Sequence, residues 1–271
     1  MANNLRVIYE NLADTATLGG TVATAGTSLD YLKQDAKHLV YRVGSKTCTI
    51  NVTLAASKPT NGIVLPACNL TKNATISVSV NGTPVKLNGA STVGAQPACP
   101  YTPGDGGTLA GLSKYSLGGG NLARAYWDSV ATTSLSITIS DTTNSDNLEF
   151  TRLVVGNYWS PKYNTSFGLQ AGLDTLSQQA RTESGMLVTT RGAVFKTLNF
   201  PLDWLDDADV LHFKRILVTA GIHRSIFVSL FPESGTEKES MYQVYGKLTE
   251  LGILTLTNPF AQSTSISLAE T

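Results

Sequence analysis

Residues able to carry chemistry are few in this chain, and the first set of them is aromatic. Tyr101, Tyr115, Tyr126 and Trp127 lie in the central part, and Tyr158, Trp159 and Tyr163 follow in the stretch "VVGNYWSPKYN". A ring beside Asn or Asp suits a sugar, because the C–H face of a pyranose stacks on it while the hydroxyls take hydrogen bonds. The same rings serve as packing between modules or subunits. Tyr101, Tyr115, Tyr126 and Trp127 are therefore candidate glycan or partner contacts. Tyr158, Trp159 and Tyr163 directly follow a strand and are assigned to inter-module or inter-subunit packing.

The second set is acidic. Asp203, Asp206, Asp207 and Asp209 are dense enough to hold a cation, but they lack the alternating oxygen spacing and the closing glutamate of a calcium loop. Helix capping explains them better: Asp206 as N-cap, Asp207 and Asp209 in the first turn, and Gly221 as the left-handed stop. The three histidines, His38, His212 and His223, stand apart from one another and from any cysteine. Cys48, Cys68 and Cys99 match no zinc spacing and are read as buried free thiols.

No nucleophile elbow and no phosphate loop is present, since "SLGGGNLA" lacks the lysine that such a loop needs. No catalytic, cofactor-binding or metal-ligating residue is assigned, and the chain is read as a non-enzyme without a cofactor. Twenty basic residues balance twenty acidic ones. That balance gives no electrostatic footprint for nucleic acid or an anionic membrane. The N-terminus has no signal-peptide core, and no apolar run reaches the eighteen residues of a span, so synthesis in the cytosol is expected. The Asn-x-Thr triplets at Asn51, Asn69, Asn73 and Asn81 are then read as Thr-rich strand sequence.

These residues must be positioned by two unlike segments. Up to Gly156 the chain reads as short strands separated by turns. "TCTINVTL" alternates Cys48, Ile50, Val52 and Leu54 against Thr and Asn, the period of a half-buried strand. "GIVLPACNL" is a nearly continuous apolar run, and Asn81-Gly82 marks a hairpin. Gly89 to Gly120 forms a long Gly- and Pro-rich excursion, after which "ARAYWD" and "TSLSITISD" bring strands back. Past the aromatic stretch, "PLDWLDDADVLHFKRILVTAG" reads as one helix with Val210, Phe213, Ile216 and Leu217 on one face, among strands. The expected fold is mainly β: an antiparallel jelly-roll sandwich over residues 1–156, an aromatic junction and linker over 157–190, and a smaller α+β module over 191–271 with one helix on an antiparallel sheet.

The opening "LRVIYENLADTATLGG", the pair "LPACNLTKNATISVSV", the closing "LEFTRLVVGNYWSPKYN" and the series "LDWLDDADVLHFKRIL", "SIFVSLFPE" and "YQVYGKLTEL" together resemble a family of virion proteins of tailed bacteriophages and prophages. The first half resembles a discoidin or galactose-binding jelly roll. The second resembles the ring-forming module of distal tail proteins, which join the tail tube to the tip hub. In many of those proteins the ring module comes first and the sugar-binding-like module second or inserted, whereas here the jelly roll leads. The resemblance implies a structural component of the tail tip or baseplate, made in the bacterial host cytoplasm. Its partners would be copies of itself in a hexameric ring, tube and tip-hub proteins, and host surface glycan. Two alternatives stand beside it: a carbohydrate-binding module for a host glycan, and a capsid decoration protein. Trp159 and its neighbours would then fix the angle between ring module and jelly roll.

Overall fold

The structure, a computed structural model, describes residues 4–99, 114–258 and 261–271. The chain is mainly β, with antiparallel sheets, a jelly-roll-like sandwich and a smaller module carrying one helix of more than two turns. The Tyr101 assignment lies outside the described residues.

The sandwich is built on two long strands, Thr47–Cys68 and Asn121–Ser140, paired with each other antiparallel. Each joins two segments that read as separate strands in the sequence. The pairing survives the transition through register shifts between Thr53 and Lys58 and between Thr60 and Gly62. Bulges of this kind bend a strand without ending it. The turn-like residues Ala55–Pro59 are therefore an exposed part of a strand. Thr17–Gly20, Thr75–Val80 and Val154–Gly156 pair with these two strands, and short strands extend the same sheet. Cys48, Ile50, Val52 and Leu54 point into the core as their alternation predicts, with Ile63, Leu65, Ile137, Ile139 and Phe150. Asn81 and Gly82 turn the hairpin at φ of 50° and 79°. All three cysteines are free and buried.

The second module is a seven-stranded sheet whose first strand comes from the other end of the chain. Arg6–Ile8 pairs with Ile226–Ser229, and the order continues through Gln243–Leu248, Ala261–Glu270, Val194–Leu205 and Gln170–Thr175. Leu5 and Val7 thus belong to the second core, beside Phe200, Phe213 and Ile266. A division at residue 156 separates the modules everywhere except at this strand. The sandwich is an insertion between the first strand of the second module and its remainder.

The helix Asp207–Thr219 has the ends read from its sequence. The Asp206 carboxylate accepts from the Asp209 N–H at 3.0 Å, and Gly221 sits at φ +52°. Phe213 and Ile216 are buried, with Val210 and Leu217 packed partly against the same core.

Residues 157–190 are not a linker throughout. Gln170–Thr175 is the outermost strand of the second sheet, paired with Val194–Asn199, and the same hairpin continues outward as Gln178–Arg181 paired with Leu187–Thr190. Every residue from Gln178 to Thr190 is exposed.

Candidate functional site at the module junction

The two modules meet face to face, and the aromatic residues sort themselves at that contact. Tyr126 and Trp127 are adjacent in one strand, so their side chains leave on opposite faces. Trp127 enters the sandwich core, and Tyr126 faces the second module with Ile8, Phe227 and Tyr245. Tyr158 meets Tyr126 edge to face, with centroids 5.6 Å apart, and the Arg6 guanidinium lies 4.2 Å and 4.6 Å from the two rings. Tyr158 thus packs against the cluster that the two modules share.

Trp159 does something else. Its ring is buried within the second core, its backbone bridges Val7, and its Nε1 donates to Asp209 Oδ1 at 3.2 Å. Asp209 also accepts from the Lys162 N–H at 3.1 Å, so one acid of the capping cluster ties the chain entering the module to the helix. Tyr163 is 52% exposed, with the Lys162 ammonium 5.5 Å from its ring centre, and within the chain it packs against neither module core.

Tyr115, Tyr126 and Trp127 are 2%, 1% and 5% exposed. None presents a face on which a sugar could stack, and this corrects their reading as surface contacts. Tyr115 instead donates from its hydroxyl to Glu149 Oε2 at 2.8 Å. Arg42 and Lys114 converge on the same carboxylate. Burial alone would raise the Glu149 pKa, but the Tyr115 hydroxyl and the two cations outweigh it and hold the carboxyl below its usual value.

Charged pairs close the junction. Arg124 from the sandwich and Glu239 from the short helix Glu237–Met241 form a bidentate bridge, with side chains 5% and 0% exposed. Arg152, also in the sandwich, bonds Tyr245 of the second module and pairs with Asp14 and Asp35. Lys37 reaches Glu270 at 2.8 Å. Sequence reasoning missed all of these. The available signal was lone arginines inside otherwise apolar strands, "NLARAYW" and "FTRLVV", because a charge is rarely buried unless it is paired.

Beside these pairs a cleft of about 100 Å³ opens between the modules. Gln243 and Tyr245 line it from one strand, and Lys196, Arg152, Asp35 and Glu270 line the rest. Gln243 is 1% exposed, yet neither atom of its amide has a hydrogen-bond partner among the described residues. Lys196 Nζ donates to the Ser240 carbonyl at 2.8 Å. Burial pushes the Lys196 pKa below the usual lysine value, and Glu270 pulls it part of the way back.

Among the described residues, no group of three or more His, Cys, Asp or Glu is placed to hold a metal ion. Among the described residues, no helix is long and apolar enough to cross a membrane.

Neither a protein-family model nor a curated protein matches the chain. Several solved structures are similar over about half of it. Chitosan-binding module 1 of a chitosanase/glucanase from Paenibacillus sp. IK-5 is 15% identical over 54% of this chain and 98% of its own, with a TM-score of 0.36. A structure described as SpGH29 is 13% identical over 56% of this chain and 28% of that one, with a TM-score of 0.39. The β-galactosidase BgaA of Streptococcus pneumoniae is 7% identical over 57% and 100%, with a TM-score of 0.32. The names describe those proteins, and likenesses at these TM-scores carry no argument about the activity of this chain.

Proposed function

We propose that this chain is a structural assembly protein whose copies join through the hairpin arm of residues 170–199. One observation carries the reading. Among the described residues, the outer half of the arm pairs only with itself, and it exposes Leu176, Met186, Leu187 and Val188 at 67%, 63%, 50% and 46%. A strand pair with open edges and exposed apolar side chains is a template for pairing with another chain. The junction supports the same role, because the buried Arg124–Glu239 pair, the partly buried Lys37–Glu270 pair and a shared aromatic contact hold the two modules in one orientation.

Within this reading, the resemblance to tailed-phage virion proteins points to a distal tail protein, with a ring of copies between tail tube and tip. The sandwich follows the first strand of the second module, which is one of the two arrangements of many distal tail proteins and not the leading jelly roll read from the sequence. A glycan-binding role would need a surface other than Tyr115, Tyr126 and Trp127. Immunogold labelling of purified virions tests the placement. Gold confined to the far end of the tail is expected, and gold on the head, on side fibres or nowhere on the particle would overturn it.

A further inference from the structure

The strand Val194–Leu205 carries the arm at one end and a groove at the other. The groove has a volume of about 430 Å³. Pro201 and Ser265, cross-strand partners, are part of its floor, while Leu202 and Ile266 on the opposite face are buried in the second core. Leu251 and Ile253 also line it and are 56% and 79% exposed. The charged residues of its lining are Asp203 and Glu250, both acidic. The arm has the complementary pair of groups. Arg181 faces Leu187 across the outer hairpin, so a cation and an apolar side chain share one face. Arg181 Nη1 donates to the Gly185 carbonyl at 3.0 Å, and among the described residues no carboxylate pairs with it. The arm leaves the strand at Val194, and Asp203 lies about 30 Å further along it at roughly 3.3 Å per residue. Every residue from Gln178 to Thr190 is exposed, so the arm does not fold back onto its own groove.

We propose that this groove seats the arm of a second copy of the chain, with Leu187 against Leu251 and Ile253 and Arg181 on the acidic rim of Asp203 and Glu250. This seating rests on the reading that the arm joins copies, and it names the surface to which the arm is joined. Burial of the exposed apolar side chains supplies the affinity, and the opposite charges fix the register. Arm and groove are unlike surfaces at opposite ends of one strand, so the contact is head to tail. Each copy gives one arm and offers one groove, and the series ends only where it closes on itself. A symmetric contact of arm with arm would instead stop at two copies and leave the groove empty.

Sedimentation velocity of two full-chain variants, alone and mixed, tests this. The arm variant carries Leu187→Glu and Val188→Glu. The groove variant carries Leu251→Glu and Ile253→Glu, at exposed positions outside the buried cores. Each alone should be a monomer. Mixed in equal amounts they should give a species of twice the 28.7 kDa monomer mass, because the intact arm of one fits the intact groove of the other and no second contact can form. A groove variant that assembles as the unaltered protein does, or a mixture that stays monomeric, would overturn the groove and leave the arm reading standing. An arm variant that assembles as the unaltered protein does would overturn both. A charge exchange decides the question even if the groove variant folds poorly. Arg181→Glu should weaken assembly at least about tenfold by placing like charges together. Adding Asp203→Arg and Glu250→Arg should restore it, and assembly that ignores Arg181→Glu or is not restored would overturn the seating.

Discussion

Arg124 Nε lies 2.6 Å from Glu239 Oε1, and Arg124 Nη2 lies 3.0 Å from Oε2, so a single buried pair joins the inserted sandwich to the module that flanks it. Glu239 also accepts from the Gly235 N–H, and Arg124 donates to the Pro97 carbonyl, which satisfies the remaining polar atoms of the pair. Removing one partner leaves the other charge buried without compensation. Arg124→Leu is expected to cost about 3–5 kcal/mol. Replacing both residues by apolar ones should recover much of that loss. Urea denaturation of the two single variants and the double variant, followed by circular dichroism, checks the cycle.

Trp159 and Asp209 form the second tie. Because Trp159 is buried in the second core, Trp159→Ala is expected to cost about 3–5 kcal/mol through the cavity it leaves. Trp159→Phe keeps most of the packing but leaves Asp209 without its indole donor, at about 1–3 kcal/mol. In both variants the second module should lose its structure first. Hydrogen exchange resolved along the chain would show it. Equal loosening of the sandwich core would contradict the placement.

Acid should act through Glu149. Its folded pKa is held below the usual value, so its stabilising contribution is complete above the usual carboxylate value of 4.5 and is lost as pH falls through the lower folded value. The unaltered protein should therefore be more stable than Glu149→Gln at pH 7, and the gap should narrow below pH 4.5. Thermal melts of both proteins across that range measure the gap. A gap that widens toward low pH would contradict the arrangement with Tyr115, Arg42 and Lys114.

The three cysteines give a test of burial. Cys48 and Cys99 have thiols pushed above their usual pKa, chiefly by burial. A disulfide exchange reagent at mildly alkaline pH should leave all three untouched in the native protein and titrate three thiols after denaturation. Fast reaction of any of them in the native state would mean that the sandwich opens.

Much of this architecture is legible in the residues themselves. Alternation at Cys48, Ile50, Val52 and Leu54, the Asn81-Gly82 turn and the Asp206 cap are local signals, and each holds. Gly156, where the strand pattern stops, has a reason that the local sequence does not contain. A Cβ there would lie 2.6 Å from the Glu10 carbonyl oxygen and 2.7 Å from Ile8 Cγ2, atoms of the returning N-terminal segment. The same long-range closure hid the membership of Arg6–Ile8 in the second sheet, because three residues carry no periodicity that identifies a distant partner. The aromatic residues were misread for a related reason. Tyr115, Tyr126 and Trp127 sit among polar and small neighbours in sequence, but the burial of each is decided by strands that arrive from elsewhere. The cleft around Gln243 and Lys196 is formed by segments far apart in the chain, so nothing short in the sequence marks it.

The central claim is that the arm of residues 170–199 joins copies of this chain, and the most direct test is the mass of the purified protein in solution. Sedimentation velocity should show a species several times the 28.7 kDa monomer. The double substitution Leu187→Glu and Val188→Glu, on exposed positions that contribute nothing to either core, should return it to monomer with an unchanged melting temperature. A monomer for the unaltered protein at every concentration, or an oligomer that ignores the substitutions, would contradict the account.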